Sequence, residues 1–174
     1  MVDALNRADR RALLEAGQET LALEAAFLDE QRWDEWLALF ATDCEYWVPT
    51  WVAEERLADN HQSQLSQIYY SSRAGLEDRI ARIRTGKSPA SVPLRRTTHM
   101  VSNVVLLDGA PGQQMNLRSS WTSHVFDPNS KKIYVLFGYA NHTLRHSASG
   151  WLIGRKKTIV QNDYLPTMVD VYCI

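Results

Sequence analysis

The chain has 174 residues, enough for one domain whose hydrophobic core needs neither disulfides nor a structural metal. Hydrophobic residues account for 45% and charged residues for 22%, which excludes disordered and fibrous proteins. The net charge of −1 leaves no basic excess to neutralise a phosphate backbone, so no nucleic-acid partner is expected.

The first 40 residues predict two helices, and one strand follows them. The first helix carries an apolar face with spacings of seven, four and three residues. That face consists of Leu14, Leu21, Ala25 and Leu28. A second, short helix is expected over Trp33–Phe40, where large apolar side chains again have helical spacing. Cys44–Pro49 predicts a strand that ends at its proline.

The middle of the chain is less regular. Residues 50–73 mix aromatic and polar groups and are interpreted as a long, partly ordered connection. A third helix is expected over residues 74–84, with Leu76 and Ile80 facing inward. Thr85–Pro89 then ends this helix, because glycine favours a helix C-terminus and proline cannot continue the helix.

The second half of the sequence predicts a meander of four strands. They are expected at Thr97–Leu107, Gln113–Phe126, Lys132–Leu144 and Trp151–Asn162. The turns between them are too short for crossover helices, so neighbouring strands must be antiparallel. Helices followed by such a meander predict an α+β fold in which a curved sheet wraps around the N-terminal helices.

The strand Lys132–Leu144 is apolar on both faces. One face carries Ile133, Val135, Phe137 and Tyr139, and the other carries Tyr134, Leu136, Ala140 and Leu144. Both faces must be covered, one by the helices and the other by another subunit. We expect Tyr134, Leu136 and Leu144 to form the interface of a homotrimer, and the apolar residues 167–174 to dock on the core or at a subunit boundary.

No pattern identifies a catalytic, cofactor-binding or metal site. The five histidines are His61, His99, His124, His142 and His146. His142 and His146 are four apart in a strand, where such residues lie about 13 Å from each other, too far to chelate one ion. Cys44 and Cys173 lack a catalytic signature, and Thr85–Ser88 lacks the first glycine of a phosphate-binding loop. We therefore expect no metal or cofactor in this chain.

Low cysteine use, no recognisable signal peptide and no long apolar segment predict a cytoplasmic protein without a membrane partner. We expect residues 1–174 to form a single domain. The densest basic segments, Arg95–Arg96 and Arg155–Lys157, are interpreted as solvated faces or as salt-bridging positions at an interface. Six aromatic residues could line a ligand pocket or, as their spacing favours, belong to the core: Trp33, Trp36, Phe40, Tyr46, Trp47 and Trp51.

A series of short segments through nearly the whole chain resembles one family, with the most specific matches between residues 68 and 103. The segments are Trp33–Leu37, Leu39–Phe40, Asp43, Tyr46–Pro49, Ile68–Tyr70, Gly75–Ile80, Arg82–Lys87, Pro93, Arg96–Thr97, His99, Asn103–Val104, Phe137–Tyr139, Leu144–Arg145, Trp151, Ile153 and Asn162–Asp163. Together they resemble the small (β) subunits of aromatic-ring-hydroxylating dioxygenases, the partners of Rieske non-haem iron large subunits. The benzoate, toluate and anthranilate branch looks most similar, with salicylate hydroxylases as neighbours, and Ser71–Ser72 departs from the family's pattern.

The resemblance implies a cystatin-like (nuclear-transport-factor-like) cone that assembles with a large (α) subunit, commonly as a hexamer of three large and three small subunits. It implies that the large subunit carries the Rieske 2Fe-2S cluster and the mononuclear iron, with NAD(P)H oxidised by a separate reductase, directly or through a ferredoxin. The chain is then expected to be a non-catalytic structural subunit of an oxidoreductase in aromatic hydrocarbon catabolism. That enzyme would be a dioxygenase or monooxygenase acting on an aromatic carboxylate of the benzoate, anthranilate or salicylate type.

Two other functions remain open from the sequence. One is a stand-alone dehydratase or isomerase that uses the cavity of the cone and needs a general base in an apolar pocket. Asp43, His99 and Trp47 are the residues to inspect for that role. The other is a ligand-binding module built on the aromatic residues.

Overall fold

Residues 5–86 and 92–174 are described in the computed structural model of the chain. The helices are α1 Arg7–Asp29, α2 Trp33–Ala38 and α3 Arg73–Arg84. The strands are β1 Phe40–Pro49, β2 Trp51–Ala53, β3 Arg56–Leu57, β4 Ser66–Tyr70, β5 Arg96–Ala110, β6 Gln114–Asp127, β7 Lys132–Ser147 and β8 Gly150–Val160. The three predicted helices and the four-strand meander are confirmed, and Lys87–Pro89 of the expected helix end lie outside the described residues.

Helix α1 packs closely on the inner face of the sheet. Asn6 caps the helix, because its side-chain oxygen accepts a hydrogen bond from the backbone N–H of Asp9 at 2.9 Å. Leu21 belongs to the buried core, as the predicted apolar face requires. A Cβ on Gly17 would lie 2.5 Å from Leu117 on β6, so glycine permits the close approach of helix and sheet.

Six strands form one sheet in the order β4–β1–β8–β7–β6–β5, and β2 and β3 pair separately. From β5 to β8 all neighbours are antiparallel, as their short connections predict. β1 and β8 pair in parallel, which joins the N-terminal part of the chain to its last strand. Register shifts interrupt β5, and Asn103 there has a φ of 50°. Such bulges bend a strand, which helps the sheet to curve around α1.

Two parts of the chain differ from the sequence predictions. Residues 50–73 contain β2, β3 and β4 instead of a partly ordered connection, and β4 places Tyr69 opposite Trp47 on β1. Phe40, expected on the second helix, begins β1 and pairs with Ile153 on β8. In both cases pairing with a distant segment overrides the local pattern.

The prediction that Tyr134, Leu136 and Leu144 on β7 form a subunit interface is wrong, because the helices cover that face of the strand. Leu136 and Leu144 are 2% and 0% exposed and belong to the hydrophobic core. Ile133, Val135 and Phe137 are 70%, 38% and 44% exposed. Side chains alternate between the two faces of a strand, so the fixed register with β6 and β8 assigns the whole strand at once.

The C-terminal residues dock on the core, one of the two places that the sequence predicts for them. Val171–Cys173 form a single 3-10 turn, and all residues from Val171 to Ile174 are buried. The ring of Tyr172 meets Trp33 edge-on, with centroids 6.4 Å apart. Nε of Arg79 on α3 donates to the carboxylate of Asp170 at 2.9 Å, which ties this end of the chain to a helix.

Candidate functional site

A cavity of about 30 Å³ lies between α1 and the inner face of the sheet, and we call it the inner cavity. Apolar side chains form most of its wall, but several polar residues also line it. These are Glu24, His99, Ser119, His142, Lys156 and Thr158. Convergent polar groups in an apolar cavity are typical of a binding or catalytic site, so the inner cavity is the first candidate.

Asp29 at the end of α1 and His99 on β5 form a hydrogen-bonded pair at this cavity. Nδ1 of His99 lies 2.6 Å from Oδ1 of Asp29, and the backbone N–H of His99 donates to Oδ2 at 2.8 Å. The hydroxyl of Thr97 donates to the same carboxylate at 2.8 Å. Burial raises the pKa of Asp29, but these hydrogen bonds outweigh it and leave the pKa below its ordinary value. The ionised carboxylate therefore favours the imidazole tautomer with a proton on Nδ1.

A buried ion pair crosses the cavity from helix to sheet. Nζ of Lys156 on β8 donates to Oε1 of Glu24 on α1 at 2.6 Å, and the two side chains are only 7% and 6% exposed. His142 stands opposite Lys156 in the pairing of β7 with β8. Burial, together with the charge of Lys156, lowers the pKa of His142 to about 3. Its imidazole is therefore neutral near pH 7, and Nε2 lies 3.3 Å from Oγ of Ser119.

The size of the inner cavity limits what its polar groups can do. An Asp–His pair can orient a general base, which is the chemistry that a dehydratase or isomerase would need. Pockets that bind small molecules measure about 300–1,000 Å³, however, whereas about 30 Å³ holds about two water molecules. An aromatic ring does not fit in the inner cavity, so the geometry of this cavity does not favour the stand-alone enzyme.

The other two residues considered for that enzyme lie elsewhere. Asp43 is at the surface on β1, where Nη1 of Arg145 donates to its Oδ2 at 2.9 Å. This guanidinium holds the pKa of Asp43 below its ordinary value. Trp47 is nearer the other end of β1, with Nζ of Lys157 4.2 Å from its ring centre. The structure therefore does not bring the three residues together, and His99 has Asp29 as its partner instead.

Two of the other histidines, His61 and His146, have aromatic neighbours. His61 stacks on Tyr69 with ring centroids 4.0 Å apart, and His146 meets Trp151 edge-on at 5.0 Å. His142 is buried whereas His146 is exposed. Across residues 5–86 and 92–174, no group of three or more His, Cys, Asp or Glu side chains could hold a metal ion.

The two cysteines are buried free thiols. Burial raises the pKa of Cys44 to about 11 and that of Cys173 to about 12. A thiol with such a pKa stays protonated near pH 7 and is a poor nucleophile. Gly86 follows α3 with a φ of +63°, a conformation typical of a helix end. A phosphate-binding loop would instead follow a strand.

The aromatic and basic clusters divide between core and surface. The core prediction is confirmed for Trp33, Trp36, Phe40 and Tyr46. It is wrong for Trp51, which is 42% exposed and donates from Nε1 to the backbone oxygen of Val160.

In the basic segment 155–157, Arg155 donates to Glu45 at 2.6 Å on the surface, whereas Lys156 is buried in its ion pair with Glu24. The interpretation of that segment as a solvated face or as a salt-bridging position at an interface is therefore wrong for Lys156, whose ion pair is buried within the chain. Nη2 of Arg95 donates to the hydroxyl of Thr167 at 3.1 Å.

Sequence reasoning missed the two carboxylates at the inner cavity. Glu24 lies between Leu21 and Leu28 on the apolar face of α1, and a charge within an apolar helical face signals a buried ion pair. That signal was available in the sequence. Asp29 gives no comparable signal, because its partner His99 is 70 residues away.

The outer face of the sheet carries a second candidate site. Met100 on β5 and Ile133, Val135 and Phe137 on β7 are 51%, 70%, 38% and 44% exposed, and we call these four residues the outer row. Thr122 on β6 connects two of them, since it pairs with both Met100 and Phe137. An exposed apolar patch of this kind marks a surface for association.

A very small inner cavity together with exposed apolar residues on the outer face of the sheet is typical of a subunit that associates through its sheet. Residues 23–167 match the ring hydroxylating beta subunit family, and the chain belongs to that family. As a small subunit, it has a large subunit as its partner. No helix within the described ranges is both long and apolar enough to cross a membrane.

Individual relatives agree with this assignment. The chain is 39% identical to the toluate 1,2-dioxygenase subunit beta of Pseudomonas putida, over 91% of this chain and 96% of that protein. It is 35% identical to the benzoate 1,2-dioxygenase subunit beta of Acinetobacter baylyi, over 92% and 94%. The crystal structure of the benzoate 1,2-dioxygenase beta subunit of Burkholderia mallei superimposes with a TM-score of 0.73, at 31% identity over 99% of this chain and 100% of that chain.

The fold also occurs in a protein of another class. A hexachlorocyclohexane dehydrochlorinase has a TM-score of 0.63 against this chain at 12% identity, over 90% of each chain. At that identity the likeness concerns the fold alone. The family match and the size of the inner cavity therefore decide against the stand-alone enzyme.

Proposed function

We propose that this chain is the structural small subunit of an oxygenase that hydroxylates an aromatic carboxylate of the benzoate or toluate type. The observation that carries the proposal is the similarity, over about nine-tenths of the chain, to the β subunits of toluate and benzoate 1,2-dioxygenases. Anthranilate and salicylate carry the same carboxylate on an aromatic ring, so they belong in the same substrate test.

In this proposal the iron chemistry belongs to the large subunit. That subunit would hold the Rieske cluster and the mononuclear iron, and a separate reductase would deliver electrons from NAD(P)H. The chain itself, a single domain over residues 1–174, contributes no catalytic residue or ligand. The inner cavity of about 30 Å³ and the raised pKa values of Cys44 and Cys173 support this division. The low cysteine content supports a cytoplasmic location.

The assembly would contain three large and three small subunits, and the outer row would be the contact between copies of this chain. Three-fold closure covers the same patch on every copy and leaves no open end. The outer row is suited to this role because it exposes four large apolar side chains on one face of the sheet, and interfaces within homo-oligomers are more apolar than the rest of the surface.

The test is to produce the chain with and without its large subunit. Light scattering should give the mass of a hexamer for the pair, and the pair with its reductase should consume NADH when benzoate or toluate is added. Metal analysis should find iron in the pair and only background iron in this chain alone. Stoichiometric iron in the isolated chain, or a pair that never forms, would contradict the proposal.

A charge in the outer row tests the interface separately. Phe137→Glu should dissociate the assembly while the chain keeps its circular dichroism spectrum, because a buried unpaired charge opposes association. Leu65→Glu is the matched control, since Leu65 is 82% exposed in the loop before β4, at the opposite edge of the sheet. If the hexamer persists with Phe137→Glu, the interface is elsewhere, and the assigned function still stands.

A further inference from the structure

The inner cavity contains more buried polar atoms than the protein itself satisfies. The unpartnered atoms are Nε2 of His99, Nε1 of Trp121, Nδ1 of His142 and Oγ1 of Thr158. Each is buried and has no hydrogen-bond partner within the part of the chain that the structure describes, and all four residues line this one cavity. Buried polar groups are nearly always hydrogen-bonded, so four such atoms around one space point to an occupant.

These atoms suit a neutral molecule that both donates and accepts hydrogen bonds. Nδ1 of His99 is directed to Asp29 at 2.6 Å, so Nε2 is the ring nitrogen left for another hydrogen-bond partner. The indole N–H of Trp121 can only donate, and the hydroxyl of Thr158 can do both. His142 is neutral because burial and the charge of Lys156 lower its pKa to about 3, so it adds one more donor or acceptor.

The charges around the inner cavity and its volume limit which molecule can occupy it. Lys156, the cation at this cavity, is already paired with Glu24 at 2.6 Å, and the carboxylate of Asp29 lies directly behind His99. An anion would therefore meet the Glu24 carboxylate, and the ammonium group of Lys156 is already paired. The cavity measures about 30 Å³, and one water molecule needs about 10–15 Å³ of such volume.

We propose that the inner cavity is a binding site for neutral hydrogen-bonding molecules of water size, and that two water molecules occupy it. They connect His99 on β5 with His142 on β7 and Thr158 on β8. Asp29 at the end of α1 is hydrogen-bonded to His99, so the water network connects this end of the helix to β5, β7 and β8. The site is independent of the assembly function, so the failure of one leaves the other intact.

A high-resolution crystal structure of the full chain tests the occupancy. Two ordered water peaks are expected, one of them within about 3.2 Å of Nε2 of His99. The same crystals under xenon pressure should show no xenon in the cavity, because xenon enters dry apolar cavities. An empty cavity, or xenon density inside it, overturns the proposal.

A pair of isosteric variants tests the same site in solution. If water bonds to the hydroxyl, Thr158→Val removes that bond and should lower the Tm by about 2–4 °C. If no water is present, the variant replaces an unsatisfied hydroxyl with an apolar group, and the Tm should rise.

Thr122→Val is the matched control. The hydroxyl of Thr122 is also buried and unpartnered, but Thr122 does not line the inner cavity, so its Tm should not fall. A Tm of Thr158→Val at or above that of the unchanged chain overturns the proposal. An equal fall in both variants overturns it too, because the loss would then not come from this cavity.

Discussion

The buried ion pair between Glu24 and Lys156 gives a sharp test of what holds the helix to the sheet. Lys156→Met would leave the Glu24 carboxylate without its partner at a place where both side chains are less than one-tenth exposed. Breaking a buried ion pair costs about 3–5 kcal/mol, because the remaining charge keeps its desolvation penalty. For a protein of this length that loss corresponds to a Tm lower by about 6–20 °C.

The double variant Glu24→Leu with Lys156→Met should recover most of the stability, because it removes both charges together. It is expected within about 1 kcal/mol of the unchanged chain, or above it. Urea unfolding of the unchanged chain, of Glu24→Leu, of Lys156→Met and of the double variant gives the coupling energy between the two side chains.

The exposed pair Arg11–Glu15 is the control for this double-mutant cycle. Its atoms are 2.7 Å apart, close to the 2.6 Å of the buried pair, but its side chains are 80% and 60% exposed. Its coupling should stay below about 1 kcal/mol. An equally small coupling for Glu24 and Lys156 would refute the reasoning that burial, and not distance, sets the strength of the pair.

Three further predictions concern His142, the aromatic core and Gly138. The pKa of His142 is about 3 in the folded chain and about 6.5 in the unfolded chain, so the unfolded state binds more protons between these values. Stability should therefore fall as the pH is lowered below about 6.5, and His142→Gln should flatten that fall in unfolding experiments at stepped pH. Trp36→Ala or Phe40→Ala should each cost about 3–5 kcal/mol in urea unfolding, because both side chains are 0% exposed; a loss of a few tenths would contradict their place in the core. Gly138→Ala should cost at least about 1–3 kcal/mol, since its Cβ would lie 1.9 Å from the carbonyl oxygen of Ile159; unchanged thermal unfolding would contradict the close approach of β7 and β8.

Local signals in the sequence predict the elements of this fold well. Apolar spacing gives α1, and the turn residues between 108 and 150 delimit the four long strands with errors of a few residues. Strands such as β4 are harder, because a five-residue strand has too few positions to show a period. In the sequence, β2 and β3 lie between β4 and its partner β1, so the pairing of β1 with β4 has no local signal.

The inner cavity depends almost entirely on contacts that are distant in sequence. Glu24 and Lys156 are 132 residues apart, and Asp29 and His99 are 70 apart. Neither pair forms a motif, since the fold alone brings their elements together. Glu24 could have been noticed on the apolar face of α1, but nothing in the sequence names Lys156 as its partner.

The two faces of β7 show where sequence reasoning stops, and they also give a test. Both faces are apolar, so alternation predicts two rows but cannot say which row the helices cover. The structure buries Leu136, which the sequence predicts at a subunit interface, and exposes Phe137. Leu136→Asp should unfold the isolated chain, because it places an unpaired carboxylate in the core, whereas Phe137→Glu should leave that chain folded and act only on assembly. Thermal unfolding of the two isolated variants decides the matter, since a folded Leu136→Asp beside an unfolded Phe137→Glu would mean that the faces are reversed.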